Sequence, residues 1–371
     1  MSTDTIDRHR RMLNGIPTQP DVSAPLPKRI LTNPWTWIGV VLTLIYAAAL
    51  WSQYALMTAD IPVRDGVVPG MNFSAIRDSF WYAMPTLIFW IVVFVLADRF
   101  RPQRLLLWWL ALGWGACIAT FLSLHVNTWA SEQLSIGGDG DPTTGARAAI
   151  YIAPFVEEAA KATVLFGIAM LVRYQLVTKL SGVALAGLSA AGFAFTENII
   201  YYARAIMYSS SQIGTGDTDA AVREIVWLRG FWTAFGHPLF TMMTGLGLIV
   251  ALRTHSKVVR VLAPLIGYLL AALLHMIFNS QATFASGQMR YLIYFAVALP
   301  MVASAVIYVV RQLFKESRKI RARLTDYVRM GWLSPVDPEV ASRVRRRAWA
   351  LLVAATRGWG VLRGTLSLQR T

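Results

Sequence analysis

Apolar residues fall along this chain in eight continuous blocks separated by short polar stretches. Each block is about 20 residues long, the length an α-helix needs to cross the hydrocarbon core of a bilayer. The pattern predicts spans at Pro34–Met57, Ser79–Ala97, Leu105–His125, Ala146–Val172, Leu180–Met207, Gly230–Leu252, Val261–Ser280 and Tyr291–Val310. A transmembrane β-barrel is excluded, because its strands alternate apolar and polar positions over segments of about ten residues. The expected fold is therefore all-α: a polytopic helical bundle over 34–310, between an N-terminal segment (1–33) and a C-terminal tail (311–371). The fourth and fifth blocks are longer than a span requires, and Pro154 is placed to bend the fourth.

Composition agrees: 56% of the 371 residues are hydrophobic and only 15% are charged. A net charge of +15 would suggest a nucleic-acid partner in a soluble protein. In a membrane protein it reflects the enrichment of Lys and Arg in cytoplasmic loops, so no nucleic-acid partner is expected. Arg8, Arg10, Arg11, Lys28 and Arg29 precede the first span; Arg99, Arg101 and Arg104 follow the second; Arg173 and Lys179 follow the fourth; Arg253, Lys257 and Arg260 follow the sixth. The alternate loops are acidic or near neutral. An even number of spans with this distribution places both termini in the cytoplasm. No apolar core adjoins Met1, so the first span is expected to serve as the targeting signal. The single cysteine, Cys117, lies inside a block and has no intrachain partner. In the arginine-rich tail, the stretch from Arg343 to Val353 reads either as a basic amphipathic helix on the inner leaflet or as a solvated tail.

Four blocks contain ionisable residues, which cost about 3 kcal/mol each at the centre of a bilayer and so mark candidate functional sites. The fourth carries Glu157, Glu158 and Lys161, which share one arc of a helix. The fifth carries Glu197-Asn198, the sixth His237, and the seventh His275 with Asn279 one turn on. Counted at 1.5 Å per residue, these groups lie roughly 8–18 Å below the outer boundary. A shared depth points to one site built from four helices. Gly182, Gly187 and Gly192 in the fifth span, with Gly236, Gly245 and Gly247 in the sixth, would let the backbones approach closely. Carboxylates and histidines enclosed together can activate water, either as a glutamate base or on a bound metal. The candidate metal ligands are Glu158, Glu197, His237 and His275, with a divalent ion such as zinc. Lys161 reads as the counter-ion of the glutamates, and Asn279 or His275 as donors to a developing oxyanion.

Glu157-Glu158-Ala-Ala-Lys161, then Phe193-Ala-Phe-Thr-Glu197-Asn198, then His237, then His275-Met-Ile-Phe-Asn279, each on its own span, resemble the motifs of the PrsW family of intramembrane proteases over about 146–279. That family is similar to the wider group of CAAX-processing and bacteriocin-processing membrane proteases. The resemblance implies proteolysis of membrane or membrane-adjacent proteins in a bacterial plasma membrane. It implies a site made of Glu157, Glu158, Glu197, His237, His275 and Asn279, with Asn198 beside them. The wider group has FxxxH where this chain has Glu197-Asn198, and Asn279 stands where an acidic residue is common.

Other strings carry less. Gly138-Asp-Gly140-Asp141 and Gly214-Thr-Gly216-Asp217 fit the GxGD of intramembrane aspartyl proteases but sit in polar loops, where turn chemistry explains them. No His-Glu-x-x-His occurs. Tyr201 and Arg204 read either as partners of the site or as interfacial anchors. The competing function classes are a proton- or ion-coupled transporter using the same Glu/Lys/His cluster, and a scaffold that keeps the glutamates for assembly.

Overall fold

The computed structural model of the chain describes residues 25–63, 66–100, 102–134, 146–173, 176, 178–211, 218–284 and 287–370. Both GxGD strings and the N-terminal arginines Arg8, Arg10 and Arg11 lie outside them. A short helix α1 (Leu26–Leu31) leads into α2 (Pro34–Thr58), and a two-stranded hairpin, β1 (Ile61–Val63) and β2 (Gly66–Val68), leads to α3 (Phe73–Ala97). The third span is α4 (Leu105–Gly113) and α5 (Thr120–Leu134), joined without a break by a π-helical turn, Trp114–Ala119. Then come α6 (Arg147–Tyr151), α7 (Ala153–Val172), α8 (Lys179–Ser211) and α9 (Thr218–Trp227). The remaining helices are α10 (Gly236–Arg253), α11 (Lys257–Phe284), α12 (Gly287–Ile293), α13 (Leu299–Arg329), α14 (Asp337–Ser342), α15 (Val344–Thr356) and α16 (Trp359–Arg370).

Among the described residues, seven helical stretches are long and apolar enough to cross a membrane: Pro34–Thr58, Phe73–Ala97, Leu105–Gln133, Lys179–Met207, Asp219–Arg253, Lys257–Phe284 and Gly287–Arg329. The eighth expected span, Ala146–Val172, differs in two ways. Its apolar character is interrupted by three ionisable residues on α7, and it is not one helix. The chain breaks at Ile152 (φ −113°, ψ −50°), and α7 starts again with Pro154 in its first turn. Proline lacks an N–H and its ring excludes the carbonyl four residues back, so the bend falls two residues before it. The sixth span is likewise not a continuous helix from Gly230. A π-helical turn, Leu228–Trp232, ends in a break over 233–235, and α10 begins at Gly236.

α8 is the axis of the bundle, with an unbroken run of buried residues from Leu180 to Ala194. Its small residues allow this. A Cβ on Gly192 would collide with the Leu112 carbonyl of α4, and one on Gly115 with the Ser189 carbonyl of α8. On the other side, Gly182 and Gly245 bring α8 and α10 backbone to backbone. Close approach of this kind is how helices gain packing in lipid, where there is no hydrophobic drive between them. Gly236 differs from the others, because the nearest neighbour to its missing Cβ is the Phe240 ring at 3.4 Å. The tail carries helical segments as far as Arg370, separated by short breaks. α15 bends back onto the end of α3, where the Arg347 guanidinium donates to the Arg99 carbonyl at 3.2 Å.

Candidate functional site

The break at Ile152 sets the register of α7, and that register turns Glu157, Glu158 and Lys161 inward toward α8, α10 and α11. Glu158 and Lys161 are 0% exposed and Glu157 is 6% exposed. With no water to solvate it, each charged group must find its partner within the bundle. The Lys161 ammonium reaches Glu158 Oε1 at 2.7 Å, His237 Nδ1 at 3.0 Å and Glu157 Oε2 at 3.7 Å. Its remaining side faces the Phe193 ring, 4.2 Å from the centroid. This is the geometry of a counter-ion shared by both glutamates.

Glu158 is fully committed. Besides Lys161, its Oε1 receives His275 Nδ1 at 3.1 Å, and its Oε2 receives the Thr241 hydroxyl at 2.6 Å. Because a carboxylate only accepts, His275 carries its proton on Nδ1. Its Nε2 lone pair is then left facing Glu157 Oε2, 3.8 Å away. That oxygen is buried and has no hydrogen-bond partner, while Oε1 of the same group accepts from the Asn127 amide at 3.2 Å. Two acceptors thus face each other with nothing donated between them, an arrangement that a cation, or a water held between them, would satisfy.

Glu197 Oε2 lies 2.8 Å from His237 Nε2 and 2.7 Å from an Arg229 nitrogen. Arg229 also donates through Nε to Asn198 Oδ1 at 2.9 Å and stacks over the Tyr201 ring at 3.9 Å. Since Lys161 donates to His237 Nδ1, the His237 proton sits on Nε2 and is given to Glu197. The two imidazoles meet edge to face, 5.0 Å between centroids, and Phe240 stacks on His275.

Glu157, His237 and His275 each offer an atom within 4.8 Å of the others, the spacing of a candidate metal site. The sequence pointed instead to Glu158 and Glu197 as the carboxylate ligands. In the fold both oxygens of Glu158 are taken up by Lys161, His275 and Thr241, and Glu197 Oε2 by Arg229 and His237, whereas Glu157 Oε2 is buried with no hydrogen-bond partner. The residues fit a divalent ion, on the strength of the unpartnered Glu157 oxygen beside the His275 lone pair. Asn279 lies a turn from His275, with its amide donating to the Ala149 carbonyl at 2.8 Å.

The cluster is the floor of a cavity of about 520 Å³ lined by Glu157, Glu197, His237 and His275, and further out by Tyr201, Arg204 and Asn279. Three partners of the site were not picked out from sequence. Asn127 gave no signal apart from its neighbours, and Thr241, which sequence reads as bonding back to its own helix, donates instead to Glu158 Oε2 at 2.6 Å. Arg229 did give one: a carboxylate such as Glu197 inside a span demands a cation, and Arg229 is the basic residue just ahead of the sixth block. Two hydrogen bonds from α3 hold the irregular segment that carries it, Thr86 Oγ1 to the Gly230 carbonyl at 2.8 Å and Trp90 Nε1 to the Ala234 carbonyl at 3.0 Å.

A bundle of apolar helices closed around buried carboxylates, histidines and a lysine defines a multi-pass membrane protein with an internal acid–base site. The model of the PrsW family, described as intramembrane metalloproteases, matches residues 101–305. That is more than half of the chain, which therefore belongs to the PrsW family. The match runs from the third span into the eighth, well beyond the four motifs. Neither the curated proteins nor the solved structures yield a match.

Proposed function

We propose that this protein is an intramembrane endopeptidase that hydrolyses a peptide bond of a membrane or membrane-adjacent protein at the floor of the cavity. The observation that carries the reading is the open Glu157 oxygen facing the His275 lone pair. Glu157 Oε2 is buried without a hydrogen-bond partner and lies 3.8 Å from His275 Nε2. Glu157 would take the proton of the attacking water, oriented by Asn127 on its other oxygen. Glu158 holds His275 in the tautomer that presents Nε2 to the cavity, as a carboxylate behind a histidine does in hydrolytic metal sites. Lys161 keeps Glu158 charged in place, and Arg229 with Glu197 holds the His237 ring. Asn279, a turn from His275, would be the donor to the oxyanion of the tetrahedral intermediate; His275, its Nδ1 proton given to Glu158, would not.

Glu157, His237 and His275 would hold a divalent metal such as zinc, which when bound acts as a Lewis acid on water or on the peptide carbonyl. In the fold both His237 nitrogens are engaged, so ligation there requires Lys161 or Glu197 to give up its contact. The test is cleavage of single-span model substrates by the purified, reconstituted protein. Wild type should release defined products and Glu157→Gln should not; equal release by both would end the reading.

A second reading has one structural observation in its favour. The helix breaks at Ile152 and 233–235 border the site, and discontinuous helices with midplane Glu, Lys and His also serve ion-coupled transporters. Gradient-driven solute flux in proteoliposomes, without cleavage, would support it.

A further inference from the structure

Glu197, Tyr201 and Arg204 follow one another at helical spacing on α8, so they form a single stripe. All three line the cavity, Glu197 at its floor and Arg204 further toward the end of α8. Seven residues of helix put Arg204 about 10 Å along the axis from Glu197. Apart from Arg204 itself and Glu157, Glu197, Arg229, His237 and His275, the residues lining the cavity are uncharged, among them Thr128, Ser131, Asn279 and Thr283. The carboxylates lining the cavity are Glu157 and Glu197. Each has a cation beside it, Lys161 at 3.7 Å from Glu157 and Arg229 at 2.7 Å from Glu197. Among the described residues the Arg204 side chain makes no ion pair or hydrogen bond, and it is exposed. The mouth of the site therefore carries one uncompensated guanidinium, a planar donor fork matched to a carboxylate.

We propose that Arg204 is a specificity subsite for an acidic side chain of the protein substrate. The inference rests on the endopeptidase reading. An extended substrate advances about 3.3 Å per residue, so the distance from Glu197 corresponds to roughly three residues from the bond that is cut. The acidic residue lies on the side of that bond that leads toward the Ser211 end of α8, the end that the loop charges place outside the cell. An arginine serving only as an interfacial anchor would extend along the lipid-facing surface to reach headgroups. This one shares a wall with the reactive cluster.

The experiment uses the full chain in nanodiscs and single-span model substrates that differ only by Asp, Asn or Lys at successive positions flanking the cleaved bond. At one position, roughly three residues from the bond, Asp should raise kcat/KM over Asn by about tenfold, and Lys should lower it. Arg204→Lys should keep that order and Arg204→Glu should reverse it. An Asp/Lys ratio identical in wild type and Arg204→Glu would overturn the subsite and leave Arg204 an anchor for lipid headgroups, with the endopeptidase reading intact. Failure of wild type to cut any of the substrates would remove the reading beneath it.

Discussion

Lys161→Met removes the cation that Glu157 and Glu158 share while keeping the length and shape of the side chain. In the wild type the ammonium lies 2.7 Å from Glu158 Oε1 and 3.0 Å from His237 Nδ1, and both Glu158 and Lys161 are 0% exposed. Methionine fills the space beside Phe193 but donates nothing. Glu158 is then left with hydrogen bonds from Thr241 and His275 and no counter-ion. Removing one partner of a buried ion pair typically costs about 3–5 kcal/mol, because an uncompensated charge remains. The unfolding equilibrium constant should therefore rise by roughly two to four powers of ten. Reversible unfolding in mixed detergent micelles measures this directly. Lys161→Met combined with Glu158→Gln should recover a large part of the loss, since an amide needs no counter-ion and still accepts from His275. A Lys161→Met protein within about 1 kcal/mol of wild type would refute the buried pair, and so would strict additivity in the double variant.

Two further outcomes are expected. Arg229→Gln frees Glu197 and, through it, the His237 ring. It should lower kcat by about 10- to 100-fold with KM little changed. Arg229→Lys should restore part of that, since an ammonium can pair with Glu197 but cannot also reach Asn198. A normal kcat in Arg229→Gln would show that the pair is structural only. Outside the spans, Asp98 at the end of α3 is 2% exposed, and burial pushes its carboxyl up to about 7 despite hydrogen bonds from Gln103 and Ser181. The folded state then holds this proton more tightly than the unfolded state. The associated stability is present below about pH 4 and is lost as pH rises toward 7. Asp98→Asn should flatten the fall in stability between pH 5 and 7; an unchanged slope would place its origin elsewhere.

The parts of this molecule that sequence made legible are those set by local chemistry. Apolar blocks mark helices because the bilayer leaves the backbone no other way to satisfy its N–H and C=O groups. The glycines of α8 told of close crossings because the missing Cβ is itself the contact, as at Gly192 against Leu112. Glu157, Glu158, Lys161, Glu197, His237 and His275 stood out because each is costly in lipid, and in the fold they form one contact network of which Glu157, Glu197, His237 and His275 line the cavity. What stayed hidden depends on three-dimensional competition for partners. Nothing in the order Glu157-Glu158 says which carboxylate Lys161, Thr241 and His275 will consume; only the register of α7 decides that, and it leaves Glu157 open. Asn127 lies two residues past the end of the third apolar block, and its role depends on α5 lying against α7. The hairpin at Ile61–Val68 was missed because each strand has only three residues, too few for an alternating pattern. The break at Ile152 was announced by Pro154, whereas the one at 233–235 was masked by apolar residues on both sides, although Pro238 stood close to it.

The central claim is that Glu157, the open carboxylate of the cluster, carries out the chemistry while its neighbours hold it in place. The most direct measurement is kcat/KM of wild type and Glu157→Gln on the same single-span substrate, in nanodiscs, with folding of both verified. The amide keeps the size of the side chain and an oxygen for Asn127 but cannot take a proton, so a loss of about a thousandfold or more is expected. Cleavage by the folded variant at the wild-type rate would contradict the account.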